Sequence, residues 1–150
     1  KDAEWGGIAK DGAKLVNAVS NSVVPKITVV LGGSYGAGNY ALSGRSYNPR
    51  FMYAWPSAKI AVMGGEQAAK TLTQIKIKKM GNIDDATKED LYNKIKLSFE
   101  KQSDVKYGAA RMWLDEIILP QDTRDVLIKS LNIINNQTKL STPNFGVLQV

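Results

Sequence analysis

The hydrophobic positions of this chain fall into short runs that end at glycine and into longer stretches with helical spacing. The clearest run, Ile-Thr-Val-Val-Leu over residues 27–31, carries no charge and predicts a buried strand. Similar runs over 51–55 and 59–63 predict two more strands. Glycine-rich segments follow the first and third runs and lead into helical patterns over about 39–44 and 66–77. The repeated order of strand, glycine turn and helix predicts an α/β architecture with parallel strands.

Other parts of the chain have the spacing of helices or a short strand. An amphipathic helix is predicted over 7–19, and Pro25 prevents it from continuing toward the first strand. Charged or amphipathic helices are predicted over about 86–103 and 120–135. The remaining predictions are a short helix over 107–113, a short strand over 116–119 and an extended tail over 141–150. No linker is long enough to divide the 150 residues, so one domain is expected.

Composition and charge narrow the possible partners. The chain is 43 % hydrophobic and 23 % charged, as in ordinary globular proteins, and no run has the length of a membrane span. The net charge is +6, but lysines alternate with acids over 84–101. This alternation favours a solvated helix face over a nucleic-acid site. We therefore expect neither a membrane nor a nucleic acid as partner.

The residues that most enzymes use for acid–base chemistry are missing around the glycine turn. The chain has no Cys and no His, and no Asp or Glu lies between Asp11 and Glu66. Paired carboxylates, metal ligation and a His-activated nucleophile are therefore excluded from this segment. Backbone N–H groups and neutral polar side chains remain. Such groups can stabilise an oxyanion while a substrate or cofactor supplies the base, and no metal site is expected.

Two other glycine motifs fit poorly. Residues 33–38 have the glycine spacing of a phosphate-binding loop, but Asn39 and Tyr40 stand where Lys and Ser or Thr are required. Residues 36–41 fit a dinucleotide fingerprint, but the acid needed about 20 residues later is absent. An oxyanion pocket is the interpretation that these residues leave.

Five segments together resemble a known family: GGIAKDGAKLVNAV, the stretch from VPKITVVLGGSYGAGNY to NPRF, WPSAKIAVMGGEQAAKTL, YGAARMWLDEIILPQDTR and NFGVLQV. They are similar to the carboxyltransferase β subunit of biotin-dependent acyl-CoA carboxylases, and most of all to the methylcrotonyl-CoA carboxylase type. Only about 76–104 matches the family poorly. The resemblance implies a crotonase-like α/β fold in which residues 1–150 form most of the C-terminal domain, without the N-terminal domain that binds most of the acyl-CoA.

The resemblance also implies an activity and its partners. The family transfers a carboxyl group from carboxybiotin to an acyl-CoA, and biotin itself serves as the base. For this chain the resemblance favours 3-methylcrotonyl-CoA as the acyl-CoA. Biotin is carried on an α subunit, which also contains the biotin carboxylase that uses ATP and bicarbonate. The β subunits form a homo-oligomer, expected to be a hexamer. The compartment would be the cytoplasm of a bacterium or the mitochondrial matrix of a eukaryote.

The family's site can be carried over residue by residue. The resemblance implies that the backbone N–H groups of Ala37 and Gly38 form the oxyanion pocket for the biotin ureido oxygen. It suggests a biotin pocket that includes Gly36, Gly64, Gly65 and Glu66, although Gly64–Glu66 are better explained as an ordinary helix start. Tyr40, with Asn39, is expected on the acyl side.

Two interpretations of another class remain open. The domain could be a non-catalytic assembly unit, in which apolar helix residues such as Leu127 and Ile128 make the important contacts. It could also be a crotonase-fold hydratase or isomerase, whose acid–base carboxylates would have to lie outside the acid-free segment.

Overall fold

Parallel strands in two small sheets form the centre of the molecule. The computed structural model describes residues 2–81, 84–137 and 142. In this part of the chain the strands are β1 (Ile27–Val30), β2 (Gly33–Tyr35), β3 (Phe51–Ala54), β4 (Lys59–Ala61) and β5 (Glu116–Ile117). The first sheet has the order β1-β3-β5, and the second pairs β2 with β4. Every pairing is parallel, which confirms the predicted strand direction.

The helices lie between and after the strands. Their bounds are α1 (Asp2–Trp5), α2 (Ile8–Asn21), α3 (Gly36–Ala41), α4 (Gly65–Met80), α5 (Asp85–Ser103), α6 (Val105–Ala109) and α7 (Thr123–Asn135), with 3-10 turns at Arg45–Tyr47 and Pro120–Asp122. The predicted helices over 7–19, 66–77, 86–103 and 120–135 are thus confirmed within a few residues. No helix among the described residues is both long enough and apolar enough to cross a membrane.

The glycine segment after β1 differs from its prediction. We expected a loop followed by a helix over about 39–44, but Gly33–Tyr35 form strand β2, and α3 begins already at Gly36 and ends at Ala41. The prediction failed because strands were predicted from apolar runs, and Gly33–Tyr35 does not contain one. β2 forms because it pairs with β4, and the N–H of Lys59 donates to the Gly32 carbonyl at 3.1 Å.

Three smaller predictions were also inexact. The short helix expected over 107–113 is α6, which begins two residues earlier and gives way to a turn at Ala110. The strand expected over 116–119 is only the two residues of β5. The predicted extended tail over 141–150 lies outside the described residues, apart from Thr142.

The core joins both sheets to the segment after α5. Met52 on β3 and Val105 on α6 are almost completely buried, because the apolar runs of β1, β3 and β4 pack against α6 and the chain that follows it. The cluster consists of Val30, Met52, Ala54, Ala58, Ile60, Val105 and Leu114.

Two hydrogen bonds fasten α7 to β3 and the residue that follows it. The buried Ser130 hydroxyl donates to the Val126 carbonyl at 2.8 Å, so the Tyr53 hydroxyl is the donor in the 2.7 Å bond between Tyr53 and Ser130. Trp55 Nε1 donates to the Thr123 hydroxyl at 2.9 Å. These two hydrogen bonds link the last helix to the sheet, and much of its apolar side-chain surface stays in solvent.

Candidate site at the glycine turns

Gly36 marks the change from β2 to α3. Its φ of +53° lies in the left-handed region, where side chains are disfavoured. A Cβ added here would lie 3.2 Å from the Val62 carbonyl oxygen, just after β4. Glycine is therefore required both by the turn and by the close approach of Val62, the residue that follows β4.

Ala37 and Gly38 form the exposed first turn of α3. N–H groups of a first helical turn have no partner within the helix, and the preceding residue, Tyr35, makes no side-chain cap. Among the backbone hydrogen bonds outside helices and strands in the described chain, none is donated by Ala37 or Gly38. A Cβ at Gly38 would meet no atom within 4 Å, so the space beside this residue is open. The two N–H groups are therefore available to an external acceptor.

Asn39 is engaged within the chain. Its side-chain Oδ1 accepts a hydrogen bond from the Ser34 hydroxyl at 3.1 Å, and its carbonyl accepts from the Gly44 N–H at 2.7 Å. The residue is half-buried. The structure thus gives the expected substrate-binding residue a role in local packing.

Gly64, Gly65 and Glu66 lie together on one side of the turn. They line an open cavity of about 830 Å³, whose other walls include Tyr35, Lys59 and Lys70. A Cβ at Gly65 would lie 3.1 Å from Cγ of Glu100 and 3.4 Å from the carbonyl oxygen of Lys96, so α5 packs closely on this glycine.

The Glu66 carboxylate pairs with Lys96 at 3.6 Å, and its side chain is 70 % exposed. Glu66 therefore sits at the positive end of α4 and links that helix to α5. Both contacts fit the plain helix start that the sequence favoured for this segment.

Tyr40 and Asn39 line a different cavity, of about 380 Å³. We call it the apolar cavity, because most of its walls are apolar or aromatic: Met52, Ile60, Val62, Phe99, Tyr107 and Trp113. Tyr40 is 42 % exposed and packs edge-on against Tyr47, with ring centroids 6.1 Å apart. Tyr107 packs edge-on against Trp113 at 6.0 Å, while the Arg111 guanidinium lies 3.3 Å from the Tyr107 ring centroid.

The segment over 35–40 therefore stands between two cavities. Tyr35 contributes to the open cavity and Tyr40 to the apolar cavity, while Ala37 and Gly38 lie between them in the chain. Gly64, Gly65 and Glu66 line the open cavity and Tyr40 and Asn39 the apolar cavity, but sequence reasoning missed the second wall of the apolar cavity. Phe99, Tyr107 and Trp113 are distant from Tyr40 in sequence, and no spacing rule connects them.

The carboxylates nearest in space to the acid-free segment are held by cations. Asp104 lies 3.4 Å from Lys59, and Asp115 lies 3.8 Å from Arg45. Asp104 also accepts a hydrogen bond from the Lys106 N–H at 2.9 Å, and this bond is the main cause that lowers its pKa below the ordinary value of 3.8. Within the described ranges no group of three or more acidic, His or Cys side chains could hold a metal ion.

Comparison with known proteins identifies a family for nearly the whole chain. Residues 1–148 match the model of the carboxyl transferase domain. The chain is 48 % identical to the methylcrotonoyl-CoA carboxylase beta chain of Dictyostelium discoideum, covering 100 % of this chain and 26 % of that protein. It is 44 % identical to the biotin-dependent 3-methylcrotonyl-coenzyme A carboxylase beta1 subunit of Mycobacterium tuberculosis, covering 100 % of this chain and 29 % of that subunit.

Solved structures agree with these sequence matches. The beta subunit of P. aeruginosa geranyl-CoA carboxylase superposes with a TM-score of 0.84 at 40 % identity, over 100 % of this chain and 29 % of that one. The transcarboxylase 12S subunit gives 0.79 at 33 % identity, over 97 % of this chain and 27 % of that one. These similarities confirm the predicted crotonase-like α/β fold.

Proposed function

The chain belongs to the carboxyl transferase domain family, and we propose that it forms most of the C-terminal domain of the carboxyltransferase β subunit of a biotin-dependent acyl-CoA carboxylase. The proposed reaction moves a carboxyl group from carboxybiotin to a branched acyl-CoA, 3-methylcrotonyl-CoA, and gives 3-methylglutaconyl-CoA. The support for this acyl group is the set of relatives named methylcrotonoyl-CoA carboxylase, at 44–48 % identity. The chain spans only about a quarter of those proteins, so the complete reaction requires residues outside it.

One observation carries this proposal: Ala37 and Gly38 form the exposed first turn of α3, and in the described chain neither N–H donates a backbone hydrogen bond outside helices and strands. Carboxybiotin, when bound, would supply both the carboxyl group and the base. Ala37 and Gly38 would donate hydrogen bonds to the ureido oxygen as that oxygen gains negative charge. The dipole of α3 points its positive end the same way, which favours an anion.

The two cavities fit the two reactants. We assign the biotin ring to the open cavity, beside the segment Gly64–Glu66 and Tyr35, the residue that precedes Gly36. The acyl chain is assigned to the apolar cavity, whose lining includes Tyr40 and Trp113. Because this lining is mainly apolar and aromatic, it suits a branched hydrocarbon chain better than a charged one.

The chain would act within an assembly. Biotin would be carried on an α subunit that also has the biotin carboxylase using ATP and bicarbonate, and the β subunits would form a hexamer, as the transcarboxylase 12S structure is described. Relatives are mitochondrial in eukaryotes or come from bacteria, so the matrix or the bacterial cytoplasm is the proposed compartment.

An assembly role is the second candidate, and a feature of α7 favours it. Ile128, Leu131 and Ile133 are 46 %, 50 % and 49 % exposed in the described chain. Apolar side chains at this exposure on one helix suit contact with another domain or subunit. Under this candidate alone, changes on α7 would alter assembly, and changes at the glycine turn would do little.

The deciding experiment is CO₂ fixation by the complete β subunit with its biotinylated partner. Turnover would be compared on 3-methylcrotonyl-, geranyl-, propionyl- and acetyl-CoA, with avidin as inhibitor. We expect avidin-sensitive turnover that is fastest on 3-methylcrotonyl-CoA. A correctly assembled, biotinylated complex that carboxylates none of the four would contradict the proposal.

Gly38 offers a matched pair of variants for the same assay. Gly38→Pro removes the N–H without breaking a bond within the helix, because first-turn N–H groups have no partner there, whereas Gly38→Ala keeps the N–H and meets no atom. Losing one oxyanion donor costs roughly 10²–10³ in kcat. We therefore expect Gly38→Pro to lose activity on that scale and Gly38→Ala to retain most of it. Equal activity of the two variants would sink the role given to this N–H.

A further inference from the structure

The orientation of α3 cannot come from the helix itself. It has six residues, and a helix this short is not stable alone. Contacts with neighbouring segments must hold it: α2 packs against it, Gly36 packs against the Val62 carbonyl, and the Gly44 N–H donates to the Asn39 carbonyl. The directions of the Ala37 and Gly38 N–H groups depend on these contacts.

The Asn39 side chain connects α3 to the preceding strand. The Ser34 hydroxyl, on β2, donates to Oδ1 of Asn39 at 3.1 Å. Ser34 is paired with Ile60 of β4, so this hydrogen bond ties the short helix to the second sheet rather than to another loop. It spans the turn at Gly36 from one side to the other.

Gly44 fixes the other side of the same carboxamide. A Cβ at Gly44 would overlap Oδ1 of Asn39 and would lie 2.5 Å from the Asn39 carbonyl oxygen. The carboxamide thus occupies the space that a side chain at residue 44 would need. It therefore lies between a hydroxyl donor and a backbone without a Cβ.

The residue type fits a neighbour of an anion site. An aspartate at residue 39 could accept the same bond from Ser34 but would add a negative charge within one helical turn of Ala37 and Gly38. A carboxylate there would oppose charge developing on a bound oxygen. Asparagine gives the same acceptor geometry without that charge.

We propose that Asn39 is a positioning residue. Its side chain lies against Gly44 and accepts the hydrogen bond from Ser34, and this contact holds the first turn of α3 so that the N–H groups of Ala37 and Gly38 converge on the ligand. This rests on the proposed function, in which those two N–H groups are the oxyanion donors. It replaces the expectation that Asn39 binds substrate directly. Ser34 and Gly44 thereby become part of the site without touching a reactant.

A double-mutant cycle in the complete carboxylase tests the proposal. Ser34→Ala, Asn39→Ala and the double variant would be assayed for kcat and for KM of the acyl-CoA. Because displacement of a catalytic group by about 1 Å can cost roughly 10²-fold, we expect each single variant to lower kcat by roughly ten- to a hundredfold with little change in KM. The double variant should be no slower than Asn39→Ala, because both changes break one interaction. Ser34→Thr, which keeps the hydroxyl, should restore most of the rate.

Two further measurements separate positioning from other roles. Ser57→Ala is the matched control, since the exposed Ser57 hydroxyl also donates a hydrogen bond, here to the backbone carbonyl of Leu31 at 3.5 Å, and Ser57 lines neither cavity. Its kcat should not change. Hydrogen exchange of the peptide over 33–44 should become faster in Ser34→Ala and Asn39→Ala. This exchange readout needs no turnover, so it applies even where a variant assembles poorly.

Three results would overturn the proposal. These are losses that multiply in the double variant, a Ser34→Ala variant with unchanged kcat, or slow kcat with unchanged exchange over 33–44. The last result would mean that Asn39 touches the substrate. None of them depends on the Gly38→Pro and Gly38→Ala pair: if that pair shows no difference while the cycle behaves as expected, the oxyanion role fails and the Asn39 contact stands as a structural one.

Discussion

Gly36→Ala tests whether the glycine turn is held at the strained geometry that the proposed chemistry needs. At φ +53°, an L-residue costs roughly 1–2 kcal/mol relative to glycine. The added Cβ would also lie 3.2 Å from the Val62 oxygen, a backbone atom that can move only if the chain after β4 moves. Together these effects should lower the free energy of unfolding by about 1–3 kcal/mol.

A second glycine provides the control. Gly12 lies inside α2, its φ is not positive, and a Cβ there would meet no atom within 4 Å. Because glycine in a helix is less favourable than alanine by roughly 0.5–1 kcal/mol, Gly12→Ala should stabilise the protein by about that amount. Both variants replace glycine with alanine, but the expected changes in the free energy of unfolding have opposite signs.

The assay is denaturant unfolding of the complete β subunit, followed by circular dichroism, together with kcat in the reconstituted carboxylase. Gly36→Ala should unfold at lower denaturant than wild type and should lose activity, because a shifted start of α3 displaces the Ala37 and Gly38 N–H groups. If Gly36→Ala matches Gly12→Ala in both stability and activity, the strained turn is not a feature of the working enzyme and our account of the site is wrong.

Two further predictions concern stability. Ser130→Ala should destabilise by about 1–3 kcal/mol, because it leaves the buried Tyr53 hydroxyl without a partner, whereas Tyr53→Phe should cost only about 0.5–1.5 kcal/mol, because Ser130 keeps its bond to Val126. Thermal unfolding of both variants checks the order, and the reverse order would refute the donor assignment. The pKa of Asp104 is lowered from 3.8, so its contribution to stability is complete above that value and is lost as the pH falls through the lower, folded-state pKa. Asp104→Asn should therefore be less stable than wild type at pH 7, and the difference should vanish once the pH lies below the folded-state pKa of Asp104; a difference that persists in acid would contradict this origin.

The sequence predicted the framework because that framework depends on local patterns. The runs of β1, β3 and β4 are apolar and nearly uncharged, and the helices after them have regular spacing, so the strands, their order along the chain and the α/β class could be inferred. The strand β2 could not, since Gly33–Tyr35 has no apolar run and forms through its pairing with β4. Local signals cannot reveal a strand whose stability comes from a partner.

The site was predictable where it depends on the backbone and not where it depends on tertiary contacts. The glycine pattern indicated free N–H groups at the start of a helix, and Ala37 and Gly38 are indeed exposed there. Asn39 was expected on the acyl side together with Tyr40. Its side-chain partner, Ser34, lies five residues earlier across a turn that the sequence did not define. The walls formed by Tyr107 and Trp113 come from a distant segment and carried no signal of their own.

The positions of the carboxylates in the folded chain bear on the role of the acid-free segment. Folding does bring acids to this segment. Asp115 accepts a hydrogen bond from the Met52 N–H at 2.7 Å, and Asp104 pairs with Lys59. Both contacts lie near the amino ends of parallel strands. Ala37 and Gly38 lie at the opposite, carboxyl end of β2. Glu66 is the acid that lines the open cavity on that side with Glu100, and Lys96 lies 3.6 Å from its carboxylate. The acids that folding brings to this segment are thus each within 4 Å of a cation, with Glu66 and Glu100 sharing Lys96, and this pairing weakens their repulsion of the charge that the proposed reaction develops.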